Sequence, residues 1–402
     1  MSLISTCMID LDFGKPTPFV SYSDGKETIV DTYEAANEDI IRMWYSGICS
    51  PQELKRILHV SNAQDYILRA AVDTISVHTR LHREILALQR ASGHSWSLEA
   101  FLSPLTFGYQ NFKNHLPPSY KAKVKHIGTG CIFDNDMNGI IFDSPFGLCS
   151  TLSYSILYFI KFASLALWPY LESVPIDVRT ASLRIATRIA LQKESMDFNL
   201  DPRGIIPKEI ERQIHAPFPY ICTFLAGHEY CHFLNGDIAH NSDLGKTENV
   251  IRYMNRLDSW KSEIYYSCHE KELQADLQSV NLPLFNSTDY ANYYCYVLFW
   301  FAILAIVESA EETIFPPTRT PSHPSAKVRY RNIIENARKP IDYSQNEKLY
   351  TEYFPDMIDS YRKALIDDVT CNFENYEMYG SAYLAEPNTQ WRGRELIDRV
   401  DF

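Results

Sequence analysis

The chain has no CxxC pair, and its nine cysteines are an odd, scattered set. A four-cysteine zinc module is excluded, and a disulfide framework is not expected in a chain of 402 residues. Glycine is scarce at 15 and proline moderate at 21, and no internal repeat is visible, which excludes collagen-like and low-complexity designs. Basic side chains are outnumbered, 38 against 50 acidic ones, for a formal net charge of −12. That balance argues against a protein that works by gripping phosphates, so no nucleic-acid partner is expected. Residues Met1 to Pro16 show no basic stretch followed by a long apolar run, so no secretory signal is read there. The expectation is a reduced, soluble, cytoplasmic protein with buried thiols.

Apolar and aromatic residues, by contrast, are plentiful: 46% hydrophobic, with 26 Tyr, 21 Phe and 6 Trp. This is enough for a substantial core in one large or two ordinary domains. Most local signals are helical. Ser50-Pro51-Gln52-Glu53 combines a capping serine, a proline at the first helical position and a glutamate three residues on. The apolar period continues through Leu54, Ile57, Leu58 and Leu68 to Leu88. Helices are also read over 151–171, over 178–193, and again from Pro217 onward, with a break at Asn235-Gly236. Cys131-Ile132-Phe133 and Ile140-Ile141-Phe142 flank the turn dipeptide Asn138-Gly139, which predicts a β-hairpin. The fold class is therefore mainly α with a small β-hairpin or sheet. Residues 1–200 form a mostly helical region with the hairpin near 131–142, residues 201–335 carry the chemistry, and 336–402 form an acidic helical extension.

The chemistry begins at His228-Glu229-Tyr230-Cys231-His232. On a helix the two histidines lie four apart on one face, where they can share one zinc ion. Glu229 follows the first ligand and can reach a water as general base. Cys231 reads as a packed thiol on the inner face of this helix. Asp237, His240 and Asp243, just beyond the helix, can rim the site but read first as surface. Forty residues after His232 the stretch His269-Glu270-Lys271-Glu272-Leu273-Gln274-Ala275-Asp276 offers a third ligand. Glu272 and Asp276 share a helical face, so Glu272 can bind metal while Asp276 accepts a hydrogen bond from a zinc-bound histidine. His269 and Glu270 rank below Glu272 as donors, and the small Ala275 allows close approach of the two helices. A third piece, His323-Pro324-Ser325, has a rigidly held histidine that can approach the metal or a developing oxyanion. Arg329, six residues on, can pair with a carboxylate near the site.

These three pieces in this order resemble the gluzincin metallopeptidases, specifically the group of HtpX-like and CAAX-endopeptidase families and BepA-type relatives, over residues 217–332. A fainter resemblance is to the phage-exclusion peptidase Lit and its relatives. The first resemblance implies a zincin-like core with His228, His232 and Glu272 on zinc and Glu229 as base. Asp276 would then stand behind the ligands, and His323 would either cap the zinc or stabilise the oxyanion. The expected activity is that of a soluble zinc endopeptidase acting on a protein or peptide, with a regulated, toxin-like or phage-defence role suggested by the second resemblance. Residues 1–200 or the C-terminal extension offer surface for a regulatory partner. Two alternatives stand beside this: a binding or regulatory protein with a structural or occluded zinc site, and a membrane-associated peptidase.

The last alternative turns on Tyr290 to Val307, eighteen uncharged residues near the lower limit for a membrane span. If that segment crossed a bilayer, Glu272 and His323 would lie on opposite sides and could not serve one site. A buried core helix, and no membrane span, is the expectation.

Overall fold

Ser50 caps the helix that follows it reciprocally, its hydroxyl accepting from the Glu53 N–H while Glu53 Oε2 accepts from the Ser50 N–H at 2.8 Å. In the computed structural model, residues 19–23, 26–30, 42, 45–134, 137–169, 171, 173–198, 203–237, 262–315 and 323–384 are described. Phe19–Ser23 (β1) and Lys26–Val30 (β2) form an antiparallel pair. Then come helices α1 (Pro51–Leu58), α2 (Ala63–Val77), α3 (Thr79–Ser92), α4 (Leu98–His115) and α5 (Pro118–Val124). Glu53 also accepts from the N–H groups of Leu98 and Glu99, so one carboxylate serves the first turns of both α1 and α4.

The small sheet follows, with β3 (Gly128–Ile132), β4 (Gly139–Ser144) and β5 (Gly147–Ser153). Its order is β3-β5-β4, with β3 parallel and β4 antiparallel to the central strand. The expected hairpin between 131–133 and 140–142 is therefore corrected: these segments are not neighbours, because β5 runs between them. The local hairpin is instead β4–β5. Its two-residue turn, Pro145-Phe146, joins the paired Ser144 and Gly147, and Gly147 supplies the left-handed φ of +112°. Asn138 does not turn the chain; its carbonyl accepts from the Ser153 N–H at 2.9 Å and prolongs the β4–β5 ladder. The helix expected over 151–171 is corrected in the same way. Thr151 to Ser153 belong to β5, and helix α6 spans Ser155–Leu167, ending before Pro169.

Helices α7 (Ile176–Ala190), α8 (Lys208–His215), α9 (Phe218–Leu234), α10 (Ser262–Asn281), α11 (Ser287–Ile314), α12 (Ala326–Asn336), α13 (Tyr343–Lys348) and α14 (Phe354–Cys371) complete the main elements. The chain is thus mostly helical with a small three-stranded sheet. One hydrophobic core runs from Tyr45 to Leu384 without a break at 200 or 335. Among the described residues α11 alone is long and apolar enough to cross a membrane, and 78% of its apolar window is buried inside the protein. Its Phe301 meets Phe224 of α9 edge-on at 5.4 Å, and Trp300 meets Phe159 of α6 at 5.7 Å. An aliphatic or aromatic side chain buried to this extent contributes about 1.5–3 kcal/mol, so α11 organises the helices around it.

Two glycines bring α4 against α9. A Cβ on Gly108 would run into the Cys222 carbonyl, and one on Gly227 would run into the ring of Phe112. Both positions need hydrogen in place of a side chain for the helices to approach this closely.

Candidate metal centre

Helix α9 carries His228, Glu229 and His232. It begins with Pro219 in its first turn and stops at Asn235, beyond which Gly236 takes a φ of +74°. The His228 and His232 rings meet edge to face with centroids 4.6 Å apart, and their Nε2 atoms are 3.0 Å apart. His228 Nδ1 lies 2.9 Å from Asp276 Oδ1, and His232 Nδ1 lies 3.1 Å from Asp237 Oδ2. Each Nδ1 thus stands beside a carboxylate, and the two Nε2 atoms, which face one another, are the ones available to a metal ion.

Glu272 of α10 closes the triangle. Its Oε2 is 3.3 Å from His228 Nε2 and its Oε1 is 3.3 Å from His232 Nε2. Donors about 2.0–2.1 Å from a tetrahedral ion stand about 3.3–3.4 Å from one another, so the three donors are spaced for one ion. His228, His232 and Glu272 form a largely buried group that could hold a metal ion. The rival donors His269 and Glu270 are not part of it.

The charges around the group agree with that. Among the described residues, four carboxylates, Glu229, Asp237, Glu272 and Asp276, stand against two cationic side chains, Arg329 and Lys271. Carboxylates therefore outnumber cationic side chains around the group, and Glu308 also faces Arg329, an environment that favours a cation. The imidazoles register the same field. Burial alone would depress the His228 ring, but Asp276 and Glu272 beside it raise it to about 10. His232 is raised for the same reason, with Glu272 overcoming its burial. Glu229 is raised chiefly by burial, only partly offset by the two histidines.

Arg329 grips Asp276 with two parallel hydrogen bonds, Nε to Oδ2 at 2.7 Å and Nη2 to Oδ1 at 2.6 Å. Its guanidinium lies 4.9 Å from the centre of the Phe301 ring on α11. His323 is 40% exposed at its side chain, and its Nδ1 is 2.9 Å from Glu272 Oε2. All seven residues singled out in the sequence, His228, Glu229, His232, Glu272, Asp276, His323 and Arg329, thus gather at one point. Cys231 is fully buried beneath them, its thiol pushed up by burial.

Three further residues belong to the site. Asp237 is not the surface carboxylate its position suggested. Past Gly236 the chain turns back, the Asp237 N–H donates to the His232 carbonyl at 3.0 Å, and the side chain faces His232 Nδ1. The signal in the sequence was a carboxylate one residue after a helix-ending glycine. Gly139, the first residue of β4, packs on Glu229, and a Cβ there would come 2.8 Å from Oε1 and 3.0 Å from Cγ. Tyr109 of α4 is buried near Glu229. Its hydroxyl, 3.0 Å from Ser150 Oγ, is pushed well above its ordinary value by burial and then by the Glu229 charge. His240 and Asp243 lie outside the described residues. A separate cavity of about 240 Å³, lined by Ile67, Leu102 and Gly130 among others, includes none of the site residues.

Comparisons with models of known protein families, with curated proteins and with solved structures give no match to this chain.

Proposed function

We propose that the chain is a zinc-dependent endopeptidase with a gluzincin-type centre in a zincin-like core. The observation that carries the reading is the spacing of His228 Nε2, His232 Nε2 and Glu272, at 3.0 and 3.3 Å. Two imidazoles and one carboxylate are the three protein donors of a catalytic zinc site of the His2Glu type. A zinc ion held there supplies Lewis-acid polarisation of a peptide carbonyl and of a water molecule.

The chain's own groups do the rest. Glu229, buried and with a raised pKa, takes the proton from the attacking water and delivers it to the departing amine. Asp276 and Asp237 hold the two imidazoles in the tautomer that turns Nε2 toward the centre. Arg329 neutralises Asp276 and fixes its orientation. His323, part exposed beside Glu272, donates to the oxygen that gains charge as water adds to the carbonyl. An extended peptide lies along β4, an edge of the three-stranded sheet whose first residue touches Glu229. The same reading makes the protein cytoplasmic, with residues before 200 and after 335 as walls of the cleft and surface for a regulatory partner.

One contact favours a second reading. If His323, 2.9 Å from Glu272 Oε2, occupies the remaining position permanently, the zinc is a fastener and the protein a binding or regulatory one. Metal analysis of the purified chain, paired with a peptide-cleavage assay, separates the outcomes. One zinc per chain with cleavage, and loss of both in Glu272→Ala, is the expected result. Zinc without cleavage decides for the second reading, and a chain that binds no zinc overturns both.

Gly139→Ala is a sharper probe of the base. The added methyl would also come 3.0 Å from Leu152 Cδ2, so it is crowded from two sides and presses on the Glu229 carboxylate. Displacing a catalytic group by a fraction of an ångström to 1 Å costs about 10- to 100-fold in turnover. That loss, with zinc content unchanged, is expected from steady-state kinetics.

A further inference from the structure

Helix α12 carries Arg329 and directly follows His323, yet it starts without a cap of its own. The Ser325 side chain makes no hydrogen bond to the first turn. The first N–H groups of a helix have no partner inside it, and a buried one must find an acceptor elsewhere. Ala326, the first residue of α12, is 1% exposed. Its acceptor comes from another helix: Glu308 of α11 presents Oε1 and Oε2 at 3.0 and 3.1 Å from the Ala326 nitrogen. The carboxylate also meets the positive end of the α12 dipole. On the same face of α11, Arg362 of α14 donates to the Ala305 carbonyl at 2.7 Å and to Glu312 at 3.1 Å.

Ala326 stands three residues after His323 and three before Arg329. A bond that fixes Ala326 therefore fixes both side chains, one against Glu272 and the other against Asp276. We propose that Glu308 is a positioning residue: by accepting the Ala326 N–H it sets the start of α12, and through His323 and Arg329 it sets the donors around the metal. The inference rests on the reading of this centre as a zinc site. Glu308 is not one of the three donors, and it acts on them through α12.

Two conservative variants of the full chain test it, because they separate reach from charge. Glu308→Gln keeps an acceptor oxygen at the same reach and loses the charge. Glu308→Asp keeps the charge but is one methylene too short. Zinc affinity is measured by competition with a chromogenic chelator, with thermal midpoints recorded alongside. Residues that orient metal ligands through hydrogen bonds typically change metal affinity about 10- to 100-fold. Glu308→Asp is expected to weaken zinc binding about tenfold, and Glu308→Gln to stay within about twofold of the parent. An Asp variant that binds like the parent, or a Gln variant weakened as much as the Asp variant, overturns the inference. A parent chain that binds no zinc overturns instead the proposed function beneath it.

Discussion

Glu229→Gln is expected to retain the fold and the bound zinc and to lose proteolysis by a factor of at least about 100, the lower end of what a positioned acid–base group contributes. Glutamine has the shape of glutamate, so it fits the space that Gly139 and Leu152 leave around residue 229. It holds no proton-accepting carboxylate, and none of the three metal donors is altered. The replacement also removes a buried ionisable group whose pKa burial has raised, so the variant should be no less stable than the parent. Cleavage of a peptide library in vitro, and comparison of newly formed protein termini in cells expressing parent or variant, give the readout. Cleavage at the parental rate by a zinc-loaded Glu229→Gln chain would remove Glu229 from the reaction.

Arg329→Met should be the most destabilising single change among the polar residues of the site. Asp276 is completely buried, and Arg329 occupies both of its oxygens. Removing one partner of a buried pair leaves an uncompensated charge and costs about 3–5 kcal/mol. The cost should fall sharply when Asp276→Asn is added, since the neutral amide no longer needs the guanidinium, and a double-mutant cycle from denaturant unfolding measures that coupling. The exposed pair Lys327–Asp359, equally short at 2.6 Å, is the internal control, because Lys327→Ala should change stability little. The acid limb of stability follows from the same residues. Burial alone would raise the Asp276 carboxyl, but Arg329 and His228 hold it below its ordinary value. A depressed carboxylate stabilises the fold above its unfolded pKa, and that contribution is lost as pH falls through the folded value. The parent should therefore lose stability on acidification through and below the ordinary carboxylate range, and Asp276→Asn should lose less across that window.

How legible these features are in the sequence depends on whether their determinants are local. The cap at Ser50 and the end of α9 at Asn235-Gly236 are local, fixed by residues within one turn, and they appear in the structure where the sequence has them. The pairing of His228 with His232 is also local, since a spacing of four on a helix decides it. Strand order is not. Asn138-Gly139 has the composition of a turn, but the shorter loop at Pro145-Phe146 captured the hairpin and left β3 to pair in parallel with β5. Gly139 and Tyr109 against Glu229 are contacts across about a hundred residues, for which no periodicity exists to be read. Asp237 lay between these cases, near in sequence but oriented by a glycine whose left-handed conformation had to be seen.

The two glycines between α4 and α9 bear on modular reuse. Gly108 and Gly227 let the backbone of one helix settle into the flank of the other, so the scaffold behind the HExxH segment is supplied by residues near 110. A fragment trimmed to 201–335 would carry every metal donor and still present to solvent the groove that Phe112 normally fills. The segment that bears the His228, His232 and Glu272 group is therefore not a cassette for grafting onto another protein, because the amino-terminal helices are part of what holds it.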